Sequence, residues 1–189
     1  MMKKNFFINT VITLSIMLLS ACGSLSQLDV NHVEIAKGVN LKLTALKNLP
    51  PHQSKQQLLT ITHHGETHQL ITQLEFTEHG LTLVAISPQG LPLFEVVFIE
   101  GEPLQQKHYI AFEMLPLAFI IADIQLVYWP VDQLNASLTG AEIITNFDKS
   151  NRKLALNGET IINIIKNGND ISYHHLQRNY QLTITDSEQ

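Results

Sequence analysis

A short segment in the middle of the chain is apolar on nearly every side, and it limits what the rest can fold into. It runs from Leu117 to Tyr128, directly after Pro116 and directly before Trp129-Pro130. Proline suits the first turn of a helix and also stops one, so the sequence predicts a helix over 117–128. A helix that is hydrophobic all round must be buried. The segments on both sides therefore have to form a surface that covers it.

These flanking segments are predicted to be β-strands separated by turns such as Pro88-Gln89-Gly90, Asn157-Gly158 and Asn167-Gly168. One face of residues 68–77 carries Leu70, Thr72, Leu74 and Phe76. The predicted strands are residues 58–62, 68–77, 81–87, 91–100 and 107–112 before the helix, and residues 142–147, 153–156, 160–166, 171–176 and 180–185 after it. Strands that follow one another about every 8–12 residues are typical of an antiparallel sheet that curls into a barrel or sandwich.

The layout is thus strands, a helical insert near residues 115–138, and strands again. A second short helix is predicted over residues 131–138, with Asp132 near its N-terminus, where a negative charge is favourable. We expect one mainly β (α+β) domain over residues 32–189, with the long helix in or across the mouth of a curved antiparallel sheet of about ten strands. Residues 24–57 form a mixed segment, in which Leu49-Pro50-Pro51 excludes regular structure.

The N-terminus predicts a bacterial lipoprotein signal. Lys3 and Lys4 precede an apolar run over residues 6–19, which is shorter than the roughly 20 residues of a membrane span and is typical of a cleaved signal over residues 1–21. The run ends in Leu19-Ser20-Ala21-Cys22, and Cys22 is the only cysteine of the chain. Its thiol is expected to carry a diacylglycerol and its amine an acyl chain. The alternative is an ordinary secretory signal with an incidental cysteine.

The residue after Cys22 is Gly23. An aspartate at this position would resemble an inner-membrane retention signal of enteric-type bacteria, and that signal is absent here. We therefore expect anchoring in the outer membrane, facing the periplasm, through several acyl chains and a lipidated tether over residues 22–31. The formal net charge is −5 at pH 7, and it becomes more negative once the signal lysines are removed. An acidic domain argues against nucleic acid and against a polybasic grip on anionic lipid.

Two groups of histidines could suggest a metal, namely His63, His64 and His68, and the pair His174-His175. The segment 64–68 is not the zinc-protease helix motif, because its glutamate is misplaced and Gly65 disfavours a helix. A solvated hairpin tip is the favoured interpretation of the first group. We expect no metal and no cofactor other than the covalent lipid on Cys22.

Asp123 is the only acidic residue of the predicted apolar helix. A buried carboxylate needs a partner or a raised pKa, so Asp123 serves either a structural hydrogen bond or a polar contact with a ligand. The chain has no Gly-x-Ser-x-Gly elbow and no glycine-rich phosphate loop, and no enzyme is expected. Only a cleft that gathers Asp123 with a histidine would indicate one.

Residues 91–99 and 160–165 carry bulky side chains on both faces. Either both faces are covered by protein, or one face lines an apolar cavity. The alternative to a cavity is a helix that simply completes a filled core. The residues expected to form the cavity wall are Leu74, Phe76, Phe94, Val96, Phe98 and Phe112, and those expected to form its lid are Phe119, Ile120, Asp123, Ile124 and Trp129.

The lipobox, the stretches 115–117 and 122–130 and the closing Asn179-Tyr180-Gln181-Leu182-Thr183-Ile184 resemble an uncharacterised bacterial lipoprotein family found near aryl-polyene biosynthesis genes. More distantly, the chain resembles the outer-membrane lipoprotein acceptor LolB and its periplasmic carrier relatives such as LolA. The resemblance implies an open half-barrel with a helical lid and a hydrophobic cavity. LolB-type proteins expose an apolar loop, for which Leu91-Pro92-Leu93-Phe94 is the nearest candidate here, although a plain hairpin is favoured.

The sequence thus predicts an outer-membrane lipoprotein that binds or receives a hydrophobic cargo in an apolar cavity. The cargo would be an acyl chain, a lipoprotein or an aryl-polyene-type lipid, and a periplasmic carrier protein is a candidate partner. The alternative is an envelope scaffold lipoprotein that binds a protein partner through its sheet edge or lid.

Overall fold

The computed structural model describes residues 31–48, 53–110 and 116–187. The strands are β1 (His32–Ala36), β2 (Val39–Lys42), β3 (Gln53–His63), β4 (Glu66–Thr77), β5 (Gly80–Ile86), β6 (Pro92–Ile99), β7 (Gln105–His108), β8 (Leu138–Thr139), β9 (Glu142–Thr145), β10 (Asn151–Leu156), β11 (Glu159–Asn167), β12 (Asp170–His175) and β13 (Tyr180–Asp186). The helices are α1 (Leu117–Tyr128) and α2 (Val131–Ser137).

Ten of these strands form one antiparallel sheet in the order β7-β6-β5-β4-β3-β13-β12-β11-β10-β9. The sheet is not closed, because β7 and β9 remain as its two edges. Strands β3 and β13 join the two halves of the chain, with Leu59 opposite Ile184. The expected mainly β fold, an open curved sheet with a helical insert, is confirmed.

The side of the large sheet that carries the alternating buried residues is called the inner face below. In β4 these residues are Leu70, Thr72, Leu74 and Phe76, as the alternation predicted. In β13 they are Tyr180, Leu182 and Ile184. The outward residues between them are polar or half-buried, which is the period of two that a one-sided sheet requires.

A second, smaller sheet with the order β1-β2-β8 was not predicted. Strands β1 and β2 form a hairpin around Lys37 and Gly38, and Gly38 has a positive φ of 75° that favours glycine. The signal that could have found this hairpin is the turn glycine between two alternating runs. Strand β8 contains two residues, which is too short for any periodicity to reveal.

Helix α1 begins and ends where the two prolines predicted. It lies between the inner face and the segment that follows β2. The indole Nε1 of Trp129 donates to the carbonyl of Thr44 (2.9 Å), and the backbone N–H of Thr44 donates to Oε1 of Gln125 (3.1 Å). From α2, Nε2 of Gln133 donates to the Ala45 carbonyl (2.6 Å). Because protein covers the helix on two sides, it can be apolar all round.

Two β-bulges explain part of the two-sided apolar pattern in β6 and β11. The pairing of β5 with β6 shifts so that Leu93 is the extra residue, and both Leu93 and Phe94 are buried. The pairing of β10 with β11 shifts in the same way at Ile161, and both Ile161 and Ile162 are buried. A bulge places two consecutive side chains against one partner residue. Neighbouring apolar side chains can therefore both be buried without protein on both faces of the strand and without a cavity along one face.

Candidate functional site

A narrow apolar slit separates α1 from one end of the inner face. The void measures about 610 Å³ including the part open to solvent, but the centre of a water molecule can occupy only about 40 Å³ of it. That is room for a few water molecules at most. The slit is lined by Gln57, Leu59, Ile61, Leu70, Thr72, Leu83, Phe94, Ile120, Asp123, Ile124, Tyr128, Tyr180, Leu182 and Ile184.

Helix α1 presents one stripe to this slit, formed by Ile120, Ile124 and Tyr128 at successive turns. These side chains are half-buried, whereas Ala122 and Gln125 on the opposite side of the helix are fully buried. The helix therefore packs tightly against the segment after β2 and loosely against this end of the large sheet. Widening the slit requires movement of side chains along one stripe, with the hydrogen bonds of Gln125 and Trp129 kept.

The expected wall and lid residues are divided between the slit and the filled core. Phe94, Ile120, Asp123 and Ile124 line the slit. Leu74, Phe76, Val96 and Phe98 lie on the inner face as expected, but they are buried beyond the slit, at the end that Trp129 fills. Phe119 lies beneath the guanidinium of Arg178, whose Cζ is 3.5 Å from the ring centroid. Phe112 lies outside the described residues.

The carboxylate of Asp123 holds the middle of α1 to the inner face. The hydroxyl of Tyr173 donates to its Oδ1 (2.5 Å), and the hydroxyl of Tyr180 donates to its Oδ2. Both tyrosine rings are buried and stacked, with 5.7 Å between their centroids. Burial raises the pKa of Asp123 to about 6, although the two tyrosine hydroxyls and the charge of Arg178 act in the opposite direction. Burial also raises the pKa of both tyrosines, so they remain donors.

His175 packs against Tyr180, with 5.3 Å between their ring centroids, and its ring nitrogens bind groups other than Asp123. Its Nε2 lies 2.8 Å from the carbonyl of Ile35, which can only accept, so Nε2 carries the proton. Its Nδ1 accepts from the backbone N–H of Arg178 (3.3 Å). Burial lowers the pKa of His175, which favours this neutral form. The ring joins the large sheet to β1, and both of its nitrogens are occupied.

The end of the slit away from Asp123 is polar and lies beside Tyr128. Nε2 of Gln57 donates to the Tyr128 hydroxyl and to Oδ1 of Asp186 (2.5 Å). The ammonium of Lys55 pairs with Oδ2 of Asp186 at 2.7 Å. Burial raises the pKa of Tyr128 to about 12, so its hydroxyl stays protonated. Lys55 and Lys166 both lie over the Tyr128 ring, with Nζ 5.7 Å and 5.9 Å from its centroid.

Arg152 secures the C-terminal turn of α1 at the same end. Its Nη1 donates to the carbonyls of Leu126 (3.0 Å) and Trp129 (2.8 Å). These carbonyls have no partner within the helix, and a cation there is also favoured by the helix dipole. Side chains of the inner face thus hold α1 at two places: Tyr173 and Tyr180 bind Asp123 near its middle, and Arg152 binds its C-terminal turn.

The predicted histidine groups do not assemble a metal site in the part of the chain that the structure describes. His64 and Gly65, both with positive φ, form the two-residue turn of the β3–β4 hairpin, which is the favoured interpretation of the sequence. His68 lies 3.6 Å from the Glu66 carboxylate, and both side chains are exposed. No group of three or more His, Cys, Asp or Glu side chains that could hold a metal ion occurs among the described residues.

Six of the missed slit residues lie on β3 and β13, two strands from which no wall residue was expected, and two more lie at the other end of β4. On β4 the slit uses Leu70 and Thr72, and the wall was expected at Leu74 and Phe76. The alternation names the face, but it carries no information about which end of that face a helix covers. Tyr128 could have been found, because it follows Ile124 by one helical turn.

The predicted lipobox, Cys22 and the predicted tether, except for Asn31, lie outside the described residues. Within the described ranges, no helix combines the length and apolarity needed to cross a membrane. A family described as "Protein of unknown function (DUF3261)" matches residues 54–188, well over half of the chain. No curated protein matches the chain significantly.

Proposed function

We propose that this chain, which belongs to the DUF3261 family, is an outer-membrane lipoprotein that binds or receives a hydrophobic cargo in the slit beneath α1. The cargo is an acyl chain, either free or carried by a lipoprotein or an aryl-polyene-type lipid. Binding requires no catalytic group, and the protein acts as a carrier or acceptor, not as an enzyme.

The observation that carries this proposal is the composition of the slit. Nine of its lining residues are aliphatic or phenylalanine, drawn from β3, β4, β5, β6, β13 and α1. Its polar groups lie at Thr72, at the Asp123 end and at the Gln57 end. Once it is widened by movement of the Ile120, Ile124 and Tyr128 side chains, a narrow apolar space with polar groups at its ends suits a flexible hydrocarbon chain. It is a poor site for a compact polar substrate.

The proposed membrane anchor is supported by the lipoprotein signal that the sequence predicts at Cys22. Lipid on Cys22 holds the domain at the membrane surface, where an acyl chain can leave the bilayer and enter the slit. Gly23 favours the outer membrane, and a periplasmic carrier is the partner that delivers the cargo.

A slit-filling substitution, Ile124→Trp, is expected to lower occupancy by an acyl chain about tenfold, because the loss of about two buried methylene contacts already has this effect. The purified full chain in phosphatidylcholine vesicles is irradiated with a photoreactive dodecanol analogue. Peptide mass spectrometry then measures the labelled fraction and its position. In the wild type we expect labels on Leu59, Leu182 and Ile184.

The matched control is Ile165→Trp, because Ile165 is 41% exposed on the outer face of β11. A second slit variant, Ile120→Trp, fills the same space one turn away. It tests the same prediction if Ile124→Trp does not fold. Urea unfolding verifies that each variant is folded. Absence of labelling in the wild type, or equal labelling of slit and control variants, would contradict the proposal.

A second function, an envelope scaffold that binds a protein partner, is favoured by the edge of the large sheet at β9. Phe147, in the turn after β9, is fully exposed, and Ile144 within β9 is half exposed. Asn135 of α2 already pairs with the backbone N–H and carbonyl of Ile143 on the outer edge of β9. A partner would therefore contact the exposed apolar side chains at this edge, which are typical of a protein-binding surface. Phe147→Ser together with Ile144→Thr would abolish partner capture in membranes and leave acyl labelling unchanged, as measured by cross-linking in cells. Capture that survives both changes would exclude this edge.

A further inference from the structure

The polar end of the slit collects more positive charge than the fold neutralises. Lys55 and Lys166 lie over the Tyr128 ring, and Arg152 binds the carbonyls of the last turn of α1 beside it. Among the described residues, Asp186 is the one carboxylate that contacts this group. The whole chain has more acidic than basic residues, 17 against 12. This group holds three cations and one anion, whereas acidic residues outnumber basic ones in the chain as a whole.

Arg152 and Lys55 each have a structural role, whereas Lys166 has none among the described residues. Arg152 donates to the last carbonyls of α1, and Lys55 pairs with Asp186. Lys166 is half-buried and forms no ion pair with any residue that the structure describes. Burial and the charges of Arg152 and Lys55 lower its pKa, although the charge of Asp186 acts in the opposite direction. An anion at this position would relieve that repulsion.

Further donors without acceptors lie in the same group. The Tyr128 hydroxyl accepts from Gln57, and its own hydrogen has no acceptor among the described residues. The Nε of Arg152 is buried and has no hydrogen-bond partner within the described ranges. A buried donor without an acceptor is costly. Lys166, Tyr128 and Arg152 thus supply unused donors, and Tyr128 itself lines the slit.

We propose that the polar end of the slit binds the anionic head group of an acyl ligand, a carboxylate or a phosphate, between Lys166, Lys55 and the Tyr128 hydroxyl. The inference rests on the proposed function, since the hydrocarbon chain occupies the slit beyond Tyr128. It makes a long-chain acyl anion the preferred cargo. A neutral acyl alcohol would fill the slit and leave the cations unpaired.

The test compares photoreactive probes of one chain length that differ in their head groups: dodecanoate, dodecyl phosphate and dodecanol. The full chain in phosphatidylcholine vesicles is labelled with each probe over a concentration series. The anionic probes are expected to bind about tenfold more tightly than the alcohol, because charge-assisted hydrogen bonds are the stronger ones. Whichever anion binds more tightly identifies the class of head group.

Lys166→Met is expected to remove most of the preference for the anions and to leave labelling by dodecanol unchanged. The matched control is Lys153→Met, because Lys153 is exposed on the outer face of the neighbouring strand and its loss changes the net charge equally. Equal binding of anions and alcohol by the wild type would overturn the head-group site and leave the proposed function intact. Failure of all three probes to label the slit would overturn both.

Discussion

Replacing Trp129 with alanine is expected to lower the free energy of unfolding by about 3–5 kcal/mol, the range for deletion of a buried aromatic side chain. Trp129 is fully buried and packs against Phe76, with 5.8 Å between ring centroids. Its Nε1 also donates to the Thr44 carbonyl, which ties the end of α1 to the segment after β2. The substitution therefore leaves a large cavity and an unpaired carbonyl at the junction of three elements.

Urea unfolding followed by far-ultraviolet circular dichroism measures this effect, since Trp129 is the only tryptophan and its fluorescence is lost. The control is Trp129→Phe, which keeps most of the packing and loses the N–H donor. Its cost should be about 1–2 kcal/mol. A loss below about 1 kcal/mol for the alanine variant would mean that the core collapses around the site and that Trp129 does not hold the helix.

Replacing Asp123 with alanine is expected to cost about 2–4 kcal/mol at pH 7, because the hydroxyls of Tyr173 and Tyr180 lose their acceptor inside the core. Asp123→Asn keeps one acceptor oxygen and removes the charge, so it should cost less. Urea unfolding of both variants compares the two effects. An alanine variant as stable as the wild type would show that water replaces the carboxylate and that the network does not anchor α1.

The pH dependence of the same variants separates the charge of Asp123 from its hydrogen bonds. Its pKa is raised from 3.8 to about 6, so the folded state binds the proton more tightly than the unfolded state. This contribution to stability is complete below pH 3.8 and is lost as the pH rises through 6. Between pH 7 and pH 4 the wild type should therefore gain about 2–3 kcal/mol relative to Asp123→Asn.

His175 acts in the opposite direction, because a lowered histidine pKa contributes stability above its ordinary value and loses it as the pH falls. The difference between the wild type and Asp123→Asn removes this effect, since both proteins contain His175. A difference that does not change between pH 7 and pH 4 would mean that the carboxylate of Asp123 is solvated in the folded protein.

Local patterns were sufficient for most elements of the fold. Prolines on both sides set the ends of α1, and the alternation in β4 identified its inner face. The ten strands of the large sheet correspond to the ten predicted segments, with ends displaced by a few residues. These features follow from backbone sterics and from side-chain period, which act over a few neighbouring residues.

The site itself depended on the assembled structure. Asp123 contacts tyrosines that are 50 and 57 residues further along the chain, and no local pattern pairs residues at that distance. Both bulges change which side chains face inward, and the small sheet fixes where α1 lies. Side-chain volume and packing then determine that Trp129 fills one end of the inner face. At the other end a slit remains, and three cations lie at its polar end. Sequence periodicity specifies only faces, whereas the space left between them depends on side chains from distant strands that meet only in the folded protein.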